Sequence, residues 1–488
     1  MSGRWWALVS VALATFMTYL DNNVVNVALP TIQRDLGLTI SGLEWIVSAY
    51  ILVFAGLLLV GGRLADVLGA RTTFFAGLAV FTLASVAAGL AGGQETLIAA
   101  RAVQGVGAAL VTPAALALLP KLFPDPRERG MAVGIWSAVG ALALAIGPLT
   151  GGLLSESTHW GWIFLINVPI GAVTAVLGLR SIRVVPATEV TEIAGARRTG
   201  LAGLDLPGLG TSSVALLALT YALIEGGSRG WTSAPILGAF AVAAVAAIAF
   251  LITESRADRP MIDLSLFRER IFSGGLLSMG LWSFGVFGIY FFTALYLQNA
   301  LGFTPIEAGA GFVPMALIMA VIATVAPRIA ERVGNARTVA IGLAMMAGAV
   351  AMVSTVGEGD GYPDLLPWFL LYGLGAGLLV PLTNVVLGAM PTARAGVASG
   401  VLNVSREVFG LLGITVLGAI MSSRESAITG TAMHRFLEAY QFTLLIAAAI
   451  VLVGVPLSLY SLRQARDVSP EPARPAAVTG RPTTEPVA

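Results

Sequence analysis

The chain has 488 residues, of which 57% are hydrophobic and only 11% charged, with no cysteine and a net charge of +1. Soluble domains carry roughly a quarter charged residues, so this composition excludes an ordinary soluble protein and points to the bilayer. The missing cysteines exclude disulfides, thiolate metal sites and a cysteine nucleophile, and the near-zero net charge gives nucleic acid no electrostatic footprint.

A hydrocarbon core about 30 Å thick takes about 20 apolar residues per helical crossing. Runs of that length are predicted at 5–29, 42–62, 72–91, 96–119, 131–154 and 161–180. The first is too long for a cleaved signal peptide and no small-residue cleavage site follows it, so it is expected to be an anchor that begins in the cytoplasm. Two more runs lie at 204–224 and 233–253, and six follow at 272–297, 307–326, 338–356, 365–389, 396–420 and 439–462. Fourteen crossings use roughly 280 residues and leave loops of ordinary length.

Charge tests the count, because Lys and Arg gather on cytoplasmic loops. With the N-terminus inside, 22 of the 28 basic residues fall in the termini and inner loops. The outer loops hold Arg34, Arg229, Arg424 and Arg435, and two arginines, Arg101 and Arg406, fall within spans. One miscounted helix would scramble this segregation, so an even count with both termini cytoplasmic is expected.

The stretch Gly62-Arg63-Leu64-Ala65-Asp66-Val67-Leu68-Gly69 has an echo in Pro327-Arg328-Ile329-Ala330-Glu331-Arg332-Val333-Gly334, an offset of 265 residues. At the same offset Leu36-Gly37-Leu38-Thr39 matches Leu301-Gly302-Phe303-Thr304. The second copies lie eight spans later, so the repeat is parallel and the arrangement is six, two and six helices. The units are an N-terminal bundle (1–183), two linker helices (184–256), a C-terminal bundle (257–463) and a disordered cytoplasmic tail (464–488). The tail is rich in Pro, Ala, Arg, Thr and Glu with no apolar period.

These motifs carry a resemblance. Gly62 through Arg71 resembles the major facilitator loop motif between the second and third helices, and Leu97 through Arg101 to Ala109 resembles the motif of its fourth helix. Gly147-Pro148-Leu149-Thr150-Gly151-Gly152 resembles the drug-antiporter motif of the fifth helix, although Ala143 stands where a glycine is usual. Leu20-Asp21 with Val24-Val25-Asn26-Val27-Ala28-Leu29-Pro30, Trp162 through Gly171, and Tyr296-Leu297-Gln298 are similar to segments of the fourteen-span drug:proton antiporters of the major facilitator superfamily. Ala70 and Gly161 depart from the pattern. The resemblance covers about residues 5 to 462 and implies an all-α major facilitator fold. It also implies proton-driven export by alternating access, with cavity-lining spans one, four, nine and twelve.

At 1.5 Å per residue Asp21 lies about 24 Å into the first span, and Arg101 about 8 Å below the outer end of the fourth. Charges in hydrocarbon face a cavity or one another, so Asp21 and Arg101 are expected to face one cavity within reach of each other. Burial favours the neutral acid and a guanidinium favours the anion, which makes this pair a candidate proton switch. The competing reading is structural: a helix-end hydrogen bond for Asp21 and a helix tie for Arg101.

Arg406 and Glu407 fall near the midplane of the thirteenth span, Arg406 about 18 Å from its inner start. Neighbours on a helix point about 100° apart, so one is expected to face the cavity and the other to pair elsewhere. Glu407 is a second candidate proton carrier, and the competing reading is a structural charge pair with Arg406 or a neighbouring helix. Gly147, Pro148, Gly151 and Gly152 are candidate gating residues through a kink and close helix approach. Asp66, flanked by Arg63 and Arg71, is expected to stabilise a helix terminus or meet an arginine at the cytoplasmic face.

Asn26, Gln104, Trp282, Tyr290 and Asn384 are the candidate substrate contacts; aromatic faces suit flat lipophilic or cationic molecules. The two histidines, His159 and His434, fall in separate outer loops, and no nucleotide-binding Gly-rich loop is present. No enzyme activity, metal or cofactor is therefore expected. The reading is a monomeric, proton-coupled exporter of drugs, antibiotics or metabolites in a cell membrane, and the strong preference for Arg over Lys suggests a bacterial one. A small-solute symporter or uniporter on the same fold and a non-transporting membrane receptor are the competing readings.

Overall fold

The computed structural model describes residues 3–157, 159–182, 205–257, 260, 262, 264–357, 360–379, 381–388 and 395–463. The described residues are helical, without a strand. The N-terminal bundle comprises α1 (Gly3–Leu36), α2 (Ile40–Val67), α3 (Ala70–Gly89), α4 (Gln94–Leu122), α5 (Pro126–Ser157), α6 (Trp162–Leu165) and α7 (Asn167–Ser181). A hairpin of α8 (Leu206–Arg229) and α9 (Ala234–Arg256) follows. The C-terminal bundle comprises α10 (Arg270–Asn299), α11 (Pro305–Val333), α12 (Asn335–Val353), α13 (Tyr362–Gly377), α14 (Pro381–Gly388), α15 (Ala395–Ala427) and α16 (Ala432–Ser461).

Twelve described helical segments are long and apolar enough to cross a bilayer. The predicted fifth run appears as α5, and the predicted twelfth as α13 and α14. The expected tail and residues 183–200 lie outside the described residues.

The repeat seen in the sequence is a repeat of backbone geometry. Gly37 and Gly302 have φ of 64° and 69°, and Gly69 and Gly334 have φ of 91° and 97°. Each pair is 265 residues apart, at a left-handed turn that side chains with a Cβ resist. Thr39 caps α2 by accepting from Gly42 N, and Thr304, at the same offset, caps α11 in a box with Glu307. Packing repeats too: α4 lies on α2 and α3 as α13 lies on α11 and α12.

Two seams join the halves, α2 against α15 and α5 against α11. The linker hairpin is asymmetric: α8 packs on both α2 and α15, whereas α9 packs mainly on α8 and exposes Leu237, Val245, Ile248 and Leu251. The side that carries the start of α1 and the end of α16 is called the terminal side below, and the opposite one the far side.

Candidate functional site

The α1–α4 contact buries a polar cluster. Asp21 and Arg101 are both 0% exposed, and Arg101 Nη1 donates to Asp21 Oδ2 at 2.5 Å. The other carboxylate oxygen accepts from Gln104 Nε2 at 3.1 Å and from Asn167 Nδ2 at 2.7 Å. Gln104 Oε1 accepts from Arg101 Nη1, and Ser85 Oγ accepts from Gln104 Nε2 at 2.8 Å. Arg101 Nε donates to the Ile46 carbonyl, and the guanidinium lies 4.4 Å from the Tyr50 ring centroid. Five side chains from α1, α3, α4 and α7 thus hold one another, and a buried ion pair gains its geometry from such added hydrogen bonds. Asn167 and Ser85 were not singled out by sequence as members. Asn167 sits inside the Trp162–Gly171 motif, and Ser85 is one small hydroxyl in an apolar span.

The central cavity, about 340 Å³, lies between the halves. Its wall comes from α1, α2, α5, α10, α11, α12, α13 and α15, with Thr112 the α4 contribution. Tyr19, Asn26, Trp136, Trp282, Tyr290, Trp368 and Tyr372 are among the wall residues. Tyr290 stacks 4.1 Å from Phe312, and Trp136 Nε1 donates to Thr15 Oγ1. Three buried polar atoms on the wall have no hydrogen-bond partner among the described residues: Asn26 Oδ1, Trp282 Nε1 and the Tyr372 hydroxyl.

The geometry corrects expectations about two clusters. Asp21 and Arg101 meet, but they are not on the cavity wall; Tyr50, which is, stands between them and the lumen. Gln104 belongs to the same buried cluster and lines no cavity wall either, because its side chain shares the α4 face that meets Asp21. The second correction concerns Arg406 and Glu407, which both line the cavity and pair with each other, Nη2 to Oε1 at 2.8 Å. The 100° between their Cα–Cβ directions is overcome by the long guanidinium arm folding back along the helix. Tyr19 of α1 reaches the Arg406 side chain across the midline, and Tyr50 lies within electrostatic reach of both Asp21 and Glu407.

The gating candidates lie at close contacts. A Cβ on Gly147 would sit 2.6 Å from Asn23 Cβ, and one on Gly151 would sit 2.5 Å from the Val24 carbonyl oxygen. Gly152 abuts the Pro305 carbonyl and Gly309 the Pro148 carbonyl, so α5 and α11 meet backbone to backbone on the far side. The helix runs through Pro148 without interruption. Glu156 Oε2 accepts from Ile306 N at 3.0 Å, and Gln298 Nε2 donates to the Val27 carbonyl at 2.7 Å, which ties the same side further. On the terminal side Arg71 Nε donates to the Ile182 carbonyl and its guanidinium lies over Phe75, while Arg63 is half-buried. The side chains of Asp66 and Asn384 lie outside the described residues.

Among the described residues no group of acidic, histidine or cysteine side chains is placed to hold a metal. His159 and His434 lie beside Asp35 and Glu438. Asp364 caps α13 by accepting from Gly361 N, and Glu425 lies in the last turn of α15.

Comparison with known proteins fits this geometry. The model of the family described as Major Facilitator Superfamily matches residues 11–414. The puromycin resistance protein pur8 of Streptomyces alboniger is 35% identical over 494 residues, covering 97% of this chain and 95% of that one. The methylenomycin A resistance protein of Streptomyces coelicolor is 40% identical over 418 residues, covering 85% of each. Among solved structures, an auto-inhibited POT family peptide transporter superposes with a TM-score of 0.67 at 15% identity, covering 97% of this chain and 99% of that one. An inward-facing bacterial Spinster homologue gives 0.63 at 15% identity, covering 94% of this chain and 97% of that one. At such identity the structural likeness is one of fold. The chain belongs to the major facilitator superfamily, whose members are membrane transporters and not enzymes.

Proposed function

We propose that this protein is a proton-coupled exporter of lipophilic or cationic small molecules, antibiotics among them, and that it works by alternating access in a bacterial cell membrane. The observation that carries the reading is the pairing of two features. An aromatic cavity holds one internally neutralised ion pair, and a buried carboxylate, Asp21, is separated from that cavity by a single ring, Tyr50. The names of its relatives, puromycin and methylenomycin A resistance proteins, support the substrate class.

In this reading the chain crosses the membrane fourteen times as a monomer, with both termini in the cytoplasm, and the far side faces outward. Its units are the two bundles at 1–183 and 257–463 with the linker pair at 184–256 between them and the tail at 464–488. The far-side contacts of α5, α11, Val27 and Gln298 then form the closed outer gate. Cargo pressing on Tyr50 moves the ring against which Arg101 rests. A withdrawn guanidinium favours protonation of Asp21, and its return favours proton release. Glu407 undergoes the same exchange with Arg406. Asp66, Arg63 and Arg71 act at the opposite, cytoplasmic gate.

Reconstituted transport under an imposed pH gradient tests this, with Asp21→Asn and Glu407→Gln beside the unmodified chain. Gradient-driven efflux is expected to fall at least tenfold in one of them, about 1.4 kcal/mol. Full efflux by both would remove the coupling assignment.

A further inference from the structure

A third acid sits in the membrane-spanning region, away from the cluster and the central cavity. Glu44, in the second turn of α2, is 2% exposed and has no hydrogen bond or ion pair among the described residues. Its side chain crosses the seam between the halves: a Cβ on Gly418 of α15 would overlap Glu44 Oε1, so the carboxyl occupies the space beside that glycine. The third neighbour is the linker helix α8, whose Glu225 acts electrostatically on Glu44. Glu225 is itself satisfied, accepting from Trp45 Nε1 at 3.2 Å and from Arg229 Nε at 3.0 Å. It also lines a far-side recess of about 610 Å³, together with Gln33, Ser41, Gln94 and Glu425.

Among the described residues no cation pairs with Glu44. Arg101 of α4 is committed to Asp21 and to the Ile46 carbonyl, about 200° round α2 from Glu44. Arg34 of α1 bonds the Pro30 carbonyl, while Asp35 accepts from Trp160 and lies near His159. On α16 His434 lies by Glu438, and Arg435 acts on Glu425 of α15. Arg424 of α15 lies over the Phe442 ring, 5.0 Å from its centroid, and the other charges named here are engaged elsewhere or of the same sign as a glutamate anion. A carboxylate taken out of water with no cation and a like charge beside it is strongly disfavoured, whereas the neutral acid is tolerated.

We propose that Glu44 is a proton-binding group of the far-side seam, neutral while α2 and α15 are packed and releasing its proton to water of the recess when they part. Low pH on the far side then favours the closed seam, and rising pH favours its opening. Because α8 brings Glu225 to this point, the linker hairpin sets the charge against which Glu44 titrates. The proposal rests on the alternating-access reading above but needs neither Asp21 nor Glu407.

The chain has no cysteine, so spin labels can be placed at chosen sites. Leu90→Cys and Thr355→Cys, exposed positions 265 residues apart at the far ends of α3 and α12, report the separation of the halves. Electron–electron distances are measured in nanodiscs without cargo from about pH 5 to about pH 9, which brackets the range of buried acids. The background carries Asp21→Asn and Glu407→Gln. The open fraction is expected to rise with pH in this background. Adding Glu44→Gln should abolish that rise and leave the far side shut, and Glu44→Asp should restore a pH response. An unchanged midpoint in Glu44→Gln overturns the proposal and leaves the exporter reading standing. A single far-side distance at every pH, with and without cargo and also in the chain carrying only the labels, overturns both.

Discussion

Arg101 Nη1 and Asp21 Oδ2 lie 2.5 Å apart with neither side chain exposed, while the opposite face of the guanidinium layer meets the Tyr50 ring. One arginine thereby joins a buried acid to the wall of the cavity.

Asp21→Asn leaves the Arg101 charge buried without a counter-ion, a change that costs about 3–5 kcal/mol when a buried pair is broken. The variant is expected to unfold at a lower temperature in detergent, and Asp21→Asn with Arg101→Gln to recover most of that loss without recovering gradient-driven transport. A double variant as unstable as the single one would contradict the ion-pair account of the cluster.

Glu407→Gln leaves Arg406 facing the cavity as an uncompensated cation. At an effective dielectric near 20, a monovalent cation about 8 Å away is repelled by about 2 kcal/mol, roughly thirtyfold in affinity. Fluorescence titration should show that weakening for a cationic dye and little change for a neutral one. Equal effects on both would mean that the pair acts by shape.

Gly309→Ala sets a methyl against the Pro148 carbonyl, where backbone and not a flexible side chain must give way. The outer gate should then fail to close. In the cysteine-free chain, a reporter at Asn22→Cys on the cavity wall is expected to react faster with an impermeant maleimide applied from the far side. Transport should fall at least tenfold, about 1.4 kcal/mol. Unaltered labelling would show that the α5–α11 contact is not the gate.

Trp282 Nε1 is a buried donor with no partner among the described residues, and it points from α10 into a wall that also holds the unpartnered Asn26 Oδ1 and Tyr372 hydroxyl. A cargo carbonyl or ether oxygen can satisfy it, at a gain of about 0.5–1.5 kcal/mol. Trp282→Phe should lower affinity for oxygen-bearing cargo about three- to tenfold and leave a pure hydrocarbon-faced dye unchanged in equilibrium binding.

The sequence by itself determined that the chain lives in a bilayer, that its helices repeat at an offset of 265, and where the chain turns. Those features depend on local chemistry: apolar length, the segregation of arginine, and glycine at Gly37, Gly69, Gly302 and Gly334, where φ is positive. Depth along a helix is also local, so Asp21 and Arg101 could be placed at matching levels before any contact was known. Rotation about the helix axis is a tertiary property, because it depends on which neighbour each face meets.

For that reason only the fold decided that Gln104 joins Asp21 and not the cavity, and that Asn167 and Ser85 complete the cluster. It also decided that Arg406 bends back to Glu407. Glu44 shows the limit most plainly. In the sequence it is one acid near the end of an apolar run, and only the meeting of α2 with Gly418 of α15 and Glu225 of α8 buries it with no cation beside it among the described residues.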